Sequence, residues 1–357
     1  ETVFDRTVER QGLNDVKDQM MNPLKHLTFG GRIYGDNLVA GKTYTGIYTD
    51  TDFKGWSLKS RKPAQEHQIR LALATLQCEN PADWETMLNK TISKVQTDKK
   101  AKQKTRQWWN SYWKRSYVFI DSGKIGSDYW KVGRNYQLFR YMLGCNAYGS
   151  EPTKFNGGLF TFDPVHIDST RVFTPDFRLW GGGTMTAQNQ RLVYFPMLKS
   201  GDFDMMKPQF DFYERMLDNA KLRTKVYWNH GGACFSEQIE NFGLPNLAEY
   251  DWKPRHEGFP IGVDSNPWLE YTWDTALEFA LMMFDAHLYN NEPIVPHLPF
   301  IESLLTFFDE HYSYLALRRG TNKLDGDGHL VLYPGSACET YKMATNATST
   351  VAALKVN

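Results

Sequence analysis

The chain has 357 residues, with 41 basic and 41 acidic side chains and a formal net charge of zero. That length suffices for roughly two domains and a sizeable core. The charge balance excludes a nucleic-acid surface or a polybasic membrane patch, and no apolar run approaches the roughly 18 residues of a membrane span. Aromatic residues make up 15% of the chain. Many of them stand beside Gly, Asn, Asp and Glu, a placement that suits stacking on sugar rings as well as packing between helices. Cys78, Cys145, Cys234 and Cys338 are far apart, without zinc-like spacing, and are expected to be mostly buried thiols. The chain starts at Glu1 without a signal-peptide pattern, so it is expected to begin after processing or inside a longer protein.

Residues 1–80 read as β-rich. Gly30, Gly31, Gly35 and Gly41 punctuate short runs at 38–40 and 43–48, and 68–76 alternates as a strand does. Asn80 and Pro81 then open a helix expected to run towards Lys104, with the lysines of 99–104 on a solvated face. The aromatic run 108–113 reads as a connector. From Tyr129 the chain becomes mainly helical. Apolar spacing marks helices through Tyr136, Phe139, Met142 and Leu143; Leu192, Phe195 and Leu198; Phe203, Met206, Phe210, Tyr213 and Leu217; Leu277, Leu281, Phe284 and Leu288; and Ile301, Leu304, Leu305, Phe308 and Tyr312. Long loops at 144–183, 226–268 and 319–341 separate them, and loops of that length are uncommon unless functional. Helices alternating with such loops predict an α/α toroid with its site at one mouth.

Four stretches carry candidate chemistry. The first is 176–196. Asp176, Arg178 and Trp180 supply a carboxylate, a guanidinium and an indole; Gly181, Gly182 and Gly183 allow close backbone approach; Asn189 follows at a helix start, where free N–H groups favour polar ligands. The second is 230–243, where His230, Glu237 and Glu240 stand. Two acids three apart on one helical face could bind hydroxyls or activate water, or simply complement a helix dipole. The third is 330–341, where Glu339 follows a Pro-Gly loop among small and apolar residues. Such surroundings raise a carboxyl pKa, as a general acid requires. The fourth, residues 325–328, lacks the later ligands and spacing of a calcium loop and reads as a hairpin turn before a strand at 329–332.

With these four in view, the chain resembles the family 95 glycoside hydrolases, and more closely a group of their Bacteroidetes relatives. The family's barrel loop reads Trp-Gly, four residues, Thr-Asn-x-Asn, four residues, Tyr-Trp-Pro. Trp180, Gly181, Thr186, Asn189, Tyr194 and Pro196 fall in that register, with Phe195 in the Trp place and Ala187 in place of the first Asn. Pro334 and Glu339 match the family's acid motif, and residues 232–243 resemble a sugar-contacting motif in which Glu237 and Glu240 replace a His and an Asp.

The resemblance implies a mainly α chain: the end of a β-sandwich over 1–80, a helical linker over 81–128, and a partial (α/α)6 barrel over 129–357. Six helical hairpins need on the order of 300 residues, so the barrel is expected to be incomplete here. It also implies a secreted or periplasmic glycosidase, exo-acting and inverting, on a plant or host oligo- or polysaccharide, with an L-fucoside or L-galactoside as the family's habit. Glu339 inherits the acid role and Asn189 orients water or a hydroxyl. Glu237 is the base candidate within the chain unless the base lies past its end. Asp176, Arg178, Trp180, His230, Glu240 and Trp273 are candidate sugar contacts. No cofactor, metal, nucleic acid or membrane span is implied. Two alternatives stay open: a polysaccharide lyase recruiting His230, Tyr333 and Arg178, or a non-catalytic glycan-binding protein.

Overall fold

The computed structural model describes residues 2–120, 123–146, 148–153, 170, 172, 174–175, 185–337 and 341–357. These residues are mainly α-helical, with small antiparallel sheets. One compact unit is built on residues 23–112, the other on residues 2–22, 113–153 and 185–357. Among the described residues no helix is long and apolar enough to cross a membrane.

In the first unit, β1 (Leu27–Tyr34) pairs antiparallel with the strand Arg70–Gln77, and β2 (Leu38–Tyr48) pairs with β3 (Thr51–Ser60); the strand Arg70–Gln77 is β4. The expected alternation at 68–76 is therefore a strand, and it has two unlike faces. Ala72, Ala74 and Leu76 lie on the partly buried face, while Leu71 and Leu73 are exposed with Phe29 and Ile33 of β1. The next helix of the chain, Pro81–Thr97, packs on β4, and Trp84 Nε1 donates to the Ala74 carbonyl at 3.0 Å. Its start is as expected: Pro81 sits in the first turn and the Asn80 side chain accepts from the Ala82 N–H. It does not reach Lys104. Asp98 Oδ1 accepts from the Lys100 N–H at 2.9 Å, a competing local bond that ends one helix and lets another, Ala101–Arg115, begin.

The second unit holds the larger core. The N-terminal stretch is not β: α1 (Thr2–Arg10) places Phe4 against Phe242 in an edge-on contact, and the two helices above are thus α2 and α3. After α4 (Asp128–Cys145) and the two-residue strand β5 (Met185–Thr186) comes α5 (Ala187–Ser200). Its buried side is Val193, Tyr194, Met197 and Leu198, whereas Leu192 is 58% exposed and Phe195 half-buried, so of the expected Leu192, Phe195 and Leu198 face Leu198 alone is buried.

The apolar run from Phe203 to Leu217 is not one helix. A 3₁₀ turn at Phe203–Met205 and Pro208 in a helix first turn divide it into that turn, α6 (Lys207–Arg215) and the start of α7 (Leu217–Trp228). β6 (Gln238–Ile239) pairs with β5, and the short α8 (Leu247–Tyr250) follows. α9 (Thr275–Asn290) buries Ala276, Leu277, Phe279, Ala280, Met282, Met283 and Ala286, while Leu288 is 72% exposed. Alanine and methionine carry that face, so a search for leucine spacing misplaced it. α10 (Leu298–Arg319) contacts α7 and α9 and buries the expected Ile301, Leu304, Phe308 and Tyr312. The chain closes with β7 (Gly335–Ala337), β8 (Tyr341–Ala344) and α11 (Thr348–Val356), which packs on α9.

Candidate active site

The starts of α5, α9 and α11 border one small cavity of about 90 Å³, lined by Gln188, Arg191, Glu237, Leu269, Thr272, Asp274, Thr275, Glu278 and Ser349. Helix starts present unpaired N–H groups and favour anions, and three carboxylates have gathered there.

Glu237 reaches the cavity because residues 230–240 run extended across α10. The Ala233 N–H donates to the Ser303 carbonyl at 2.9 Å, and further on the Ala187 N–H donates to the Glu237 carbonyl at 2.8 Å. The Glu237 carboxylate then accepts from the Gln188 N–H in the first turn of α5. Asp274, immediately before α9, accepts from Thr350 Oγ1 at 2.7 Å and Ser349 Oγ at 3.4 Å. Burial raises its pKa above the usual carboxylate range, against the lowering effect of those hydroxyls. Glu278 lies one turn into α9, so it shares a face with Asp274. Its Oε1 accepts from Arg191 Nη1 at 2.7 Å. Burial raises its pKa too; Arg191 opposes that rise and Asp274 adds to it.

Two further groups define what the cavity takes. The hydroxyls of Thr272 and Thr275 are buried and have no protein partner among the described residues. A buried hydroxyl without a partner is costly, so this lining calls for a polar occupant.

Among the described residues, the predicted ones do not come together into one site. Glu237 lines the cavity. Asn189 is half-buried one residue beyond Gln188. Glu240 turns elsewhere and accepts from Asn246 Nδ2 at 2.6 Å. The helical face expected for Glu237 and Glu240 does not exist: β6 lies between them, and an odd separation on extended backbone points side chains to opposite sides. Positive φ at Gly232 (79°) and Gly243 (78°) turns the backbone at either end of this stretch, and between them β6 pairs with β5.

His230 and Trp273 belong to an aromatic cluster. His230 stacks on Trp228, with ring centroids 5.8 Å apart and planes 9° apart, and its Nε2 lies 2.9 Å from Nδ1 of the buried His311. Trp273 is 4% exposed and meets His311 edge-on at 4.5 Å, so its ring is a core contact. Asp176, Arg178, Trp180 and Glu339 lie outside the described residues. Of the cysteines described, Cys234 alone is buried; Cys78 is partly exposed and Cys145 exposed.

The acidic stretch 325–328 is a chain reversal. Asp325 Oδ1 accepts from the N–H groups of Asp327 and His329, both at 2.9 Å, and an isolated bridge joins Leu324 to Leu330 in place of the expected strand. Asp325, Asp327 and His329 are close enough together to hold a metal ion, but all three are exposed and that Asp325 oxygen already serves the turn.

Residues 1–118 match the family described as a domain of unknown function (DUF5703). No curated protein matches the chain. The matched stretch is 118 of 357 residues, about a third, and stops before every residue of the cavity.

Sequence reasoning passed over Arg191, Thr272, Asp274, Thr275, Glu278 and Ser349. The signal available was local: Asp274 and Glu278 are acids four apart at a helix start, a spacing that puts both on one face.

A second buried carboxyl, outside the cavity, sets a pH dependence. Burial pushes the Asp264 pKa from its ordinary 3.8 up to about 6, against the pull of Arg223 and Ser236, with Glu249 adding to the rise. The folded state therefore binds a proton that the unfolded chain releases. This contribution is full below 3.8 and is lost as pH rises to about 6. The interval corresponds to about 3 kcal/mol. Asp264→Asn should remove it, so the pH dependence of the melting temperature across that range should differ between the two proteins; parallel dependences would mean that Asp264 has the same pKa folded and unfolded.

Proposed function

We propose that this chain carries the catalytic part of a glycoside hydrolase, exo-acting and inverting, whose substrate is a plant or host glycan met outside the cytoplasm. The observation that carries this reading is the convergence of Glu237, Asp274 and Glu278 on one polar cavity at the starts of three helices. An inverting hydrolase needs a carboxylate that takes a proton from water on one side of the sugar and a carboxylic acid that protonates the leaving oxygen on the other. Raised carboxyl pKa values at Asp274 and Glu278 suit a group that must accept a proton near neutral pH.

In this reading Glu339 is the acid, by its place in the motif it resembles, and Asn189 orients water or a hydroxyl from the first turn of α5. The helices of the second unit are the described part of an (α/α)6 toroid. The paired strands of the first unit are the end of a β-sandwich, and residues 81–128 are the linker.

The test is sugar release from a panel of plant and mucin oligosaccharides by the intact protein and by its Glu339→Gln variant. Release that the variant loses is the expected result. Release untouched by the substitution removes Glu339 as the acid. Binding without release by the unsubstituted protein overturns the hydrolase reading in favour of glycan binding, and an unsaturated product would mark a lyase.

A further inference from the structure

We infer that the cavity is the chamber of the attacking water and that Glu278 is the base that activates it, an assignment that rests on the hydrolase reading above. The first argument is size. About 90 Å³ is well under the roughly 300 Å³ at which ordinary small-molecule pockets begin, and it accommodates only a few waters at about 30 Å³ each. A sugar ring belongs outside it. The second argument is lining: the orphan hydroxyls of Thr272 and Thr275 can each bond a water, and the Ser349 hydroxyl stands on the same wall.

The third argument separates the three carboxylates by what each is already doing. Glu237 is 4% exposed, and its carboxylate caps α5 by accepting from the Gln188 N–H. Its protonation would weaken that cap. Asp274 accepts from both hydroxyls of the α11 start on the same oxygen, Oδ2, and among the described residues has no ion-pair partner to fix its charged form. Glu278 has one oxygen fixed on Arg191, while its Oε2 has no protein partner among the described residues, and its side chain is 32% exposed. A base must be held in place yet keep one lone pair for the reacting water. Glu278 meets both conditions. Among the described residues, the charges around it are Arg191 from α5, Asp274 from its own helix start and Glu237 from the extended stretch, so Arg191 is its one cationic neighbour there in the cavity wall.

The step balances as follows. Water oxygen forms a bond to the anomeric carbon as its proton passes to Glu278 Oε2. The glycosidic C–O bond breaks, its electron pair stays on the leaving oxygen, and that oxygen takes the proton of the acid. Solvent later returns both carboxyls to their starting states.

The experiment uses the intact protein and whichever oligosaccharide of the plant and mucin panel it cleaves. Glu278→Gln should lower kcat by about 10²–10⁴-fold with little change in KM, and should abolish the acidic limb of the kcat/KM profile. Sodium azide should restore turnover and yield a glycosyl azide of inverted configuration, because azide attacks without needing a base; a misfolded variant would not be rescued. Glu278→Asp, which keeps the charge, should retain the acidic limb at a reduced kcat. Release lost in Glu339→Gln but unchanged in Glu278→Gln would leave the hydrolase reading standing and overturn this assignment. An acidic limb that persists in Glu278→Gln without azide rescue would overturn it as well. No release from any oligosaccharide by the unsubstituted protein would overturn the underlying reading.

Discussion

Replacing Asp202 with alanine should destabilise the second unit by about 3–5 kcal/mol, because it takes a buried carboxylate away from a buried guanidinium. Asp202 is fully buried and Arg140 of α4 is 2% exposed, with Nη1 3.1 Å from Asp202 Oδ2. Arg140 also lies over the Trp113 ring at 5.8 Å, so it is enclosed by an indole on one side and a carboxylate on the other. Asp202 follows Gly201, whose left-handed φ of 71° ends α5, and its own N–H donates to the Met197 carbonyl at 3.0 Å. The pair therefore ties α4 to the end of the helix whose beginning borders the cavity.

Arg115 would not suffer the same loss. It touches Asp202 at 3.4 Å but has its main partner in Asp204, with contacts at 2.5 and 3.1 Å. Urea denaturation should show the loss in Asp202→Ala. It should also show part of the stability recovered when Arg140→Met is added, since the buried charge that lost this carboxylate is then gone. Equal midpoints for the single and double variants would mean that the other contacts of Arg140 hold its charge without Asp202.

How much of this was legible in the sequence depends on the distance over which each feature is specified. Caps and breakers are local, so the start of α2 was legible, although its stop at Asp98 was not. Asn80 and Pro81 start α2, as that pair predicts. Helix faces read less well where the apolar residues were not the usual ones. α9 presents alanine and methionine to the core and leaves Leu288 in solvent.

The cavity was least legible of all, because its walls come from residues 188, 237, 274–278 and 349, far apart in the chain. The motif that drew attention, residues 230–243, was misread as helical because its two glutamates sit at a helical spacing. What decides the backbone there is Gly232, and its constraint comes from α10, outside the motif.

That constraint yields the other large prediction. Gly232→Ala should cost about 2–5 kcal/mol, the sum of an unfavourable φ and a steric clash. Gly232 has φ 79°, and a Cβ built on it would stand 2.2 Å from the backbone N and 2.5 Å from the Cα of Phe307. Neither atom can swing aside as a side chain could, because both belong to the middle of α10. The next residue, Ala233, donates its N–H to the Ser303 carbonyl, so the strand-like stretch would have to lift from the helix together with that bond. Glu237 is carried on the same stretch, and its cap on α5 would be displaced.

Two other glycines separate the contributions. Gly320, which ends α10 with φ 67°, has nothing within 4 Å of a built Cβ, so Gly320→Ala should cost only the roughly 1–2 kcal/mol of the left-handed backbone. Gly326, in the exposed turn, has no such φ and equally open space, so Gly326→Ala should be close to neutral. The expected order of stability is therefore 326, then 320, then 232, measured as urea midpoints of the three alanine variants. If Gly232→Ala proved no worse than Gly320→Ala, α10 and the extended stretch could separate at small cost.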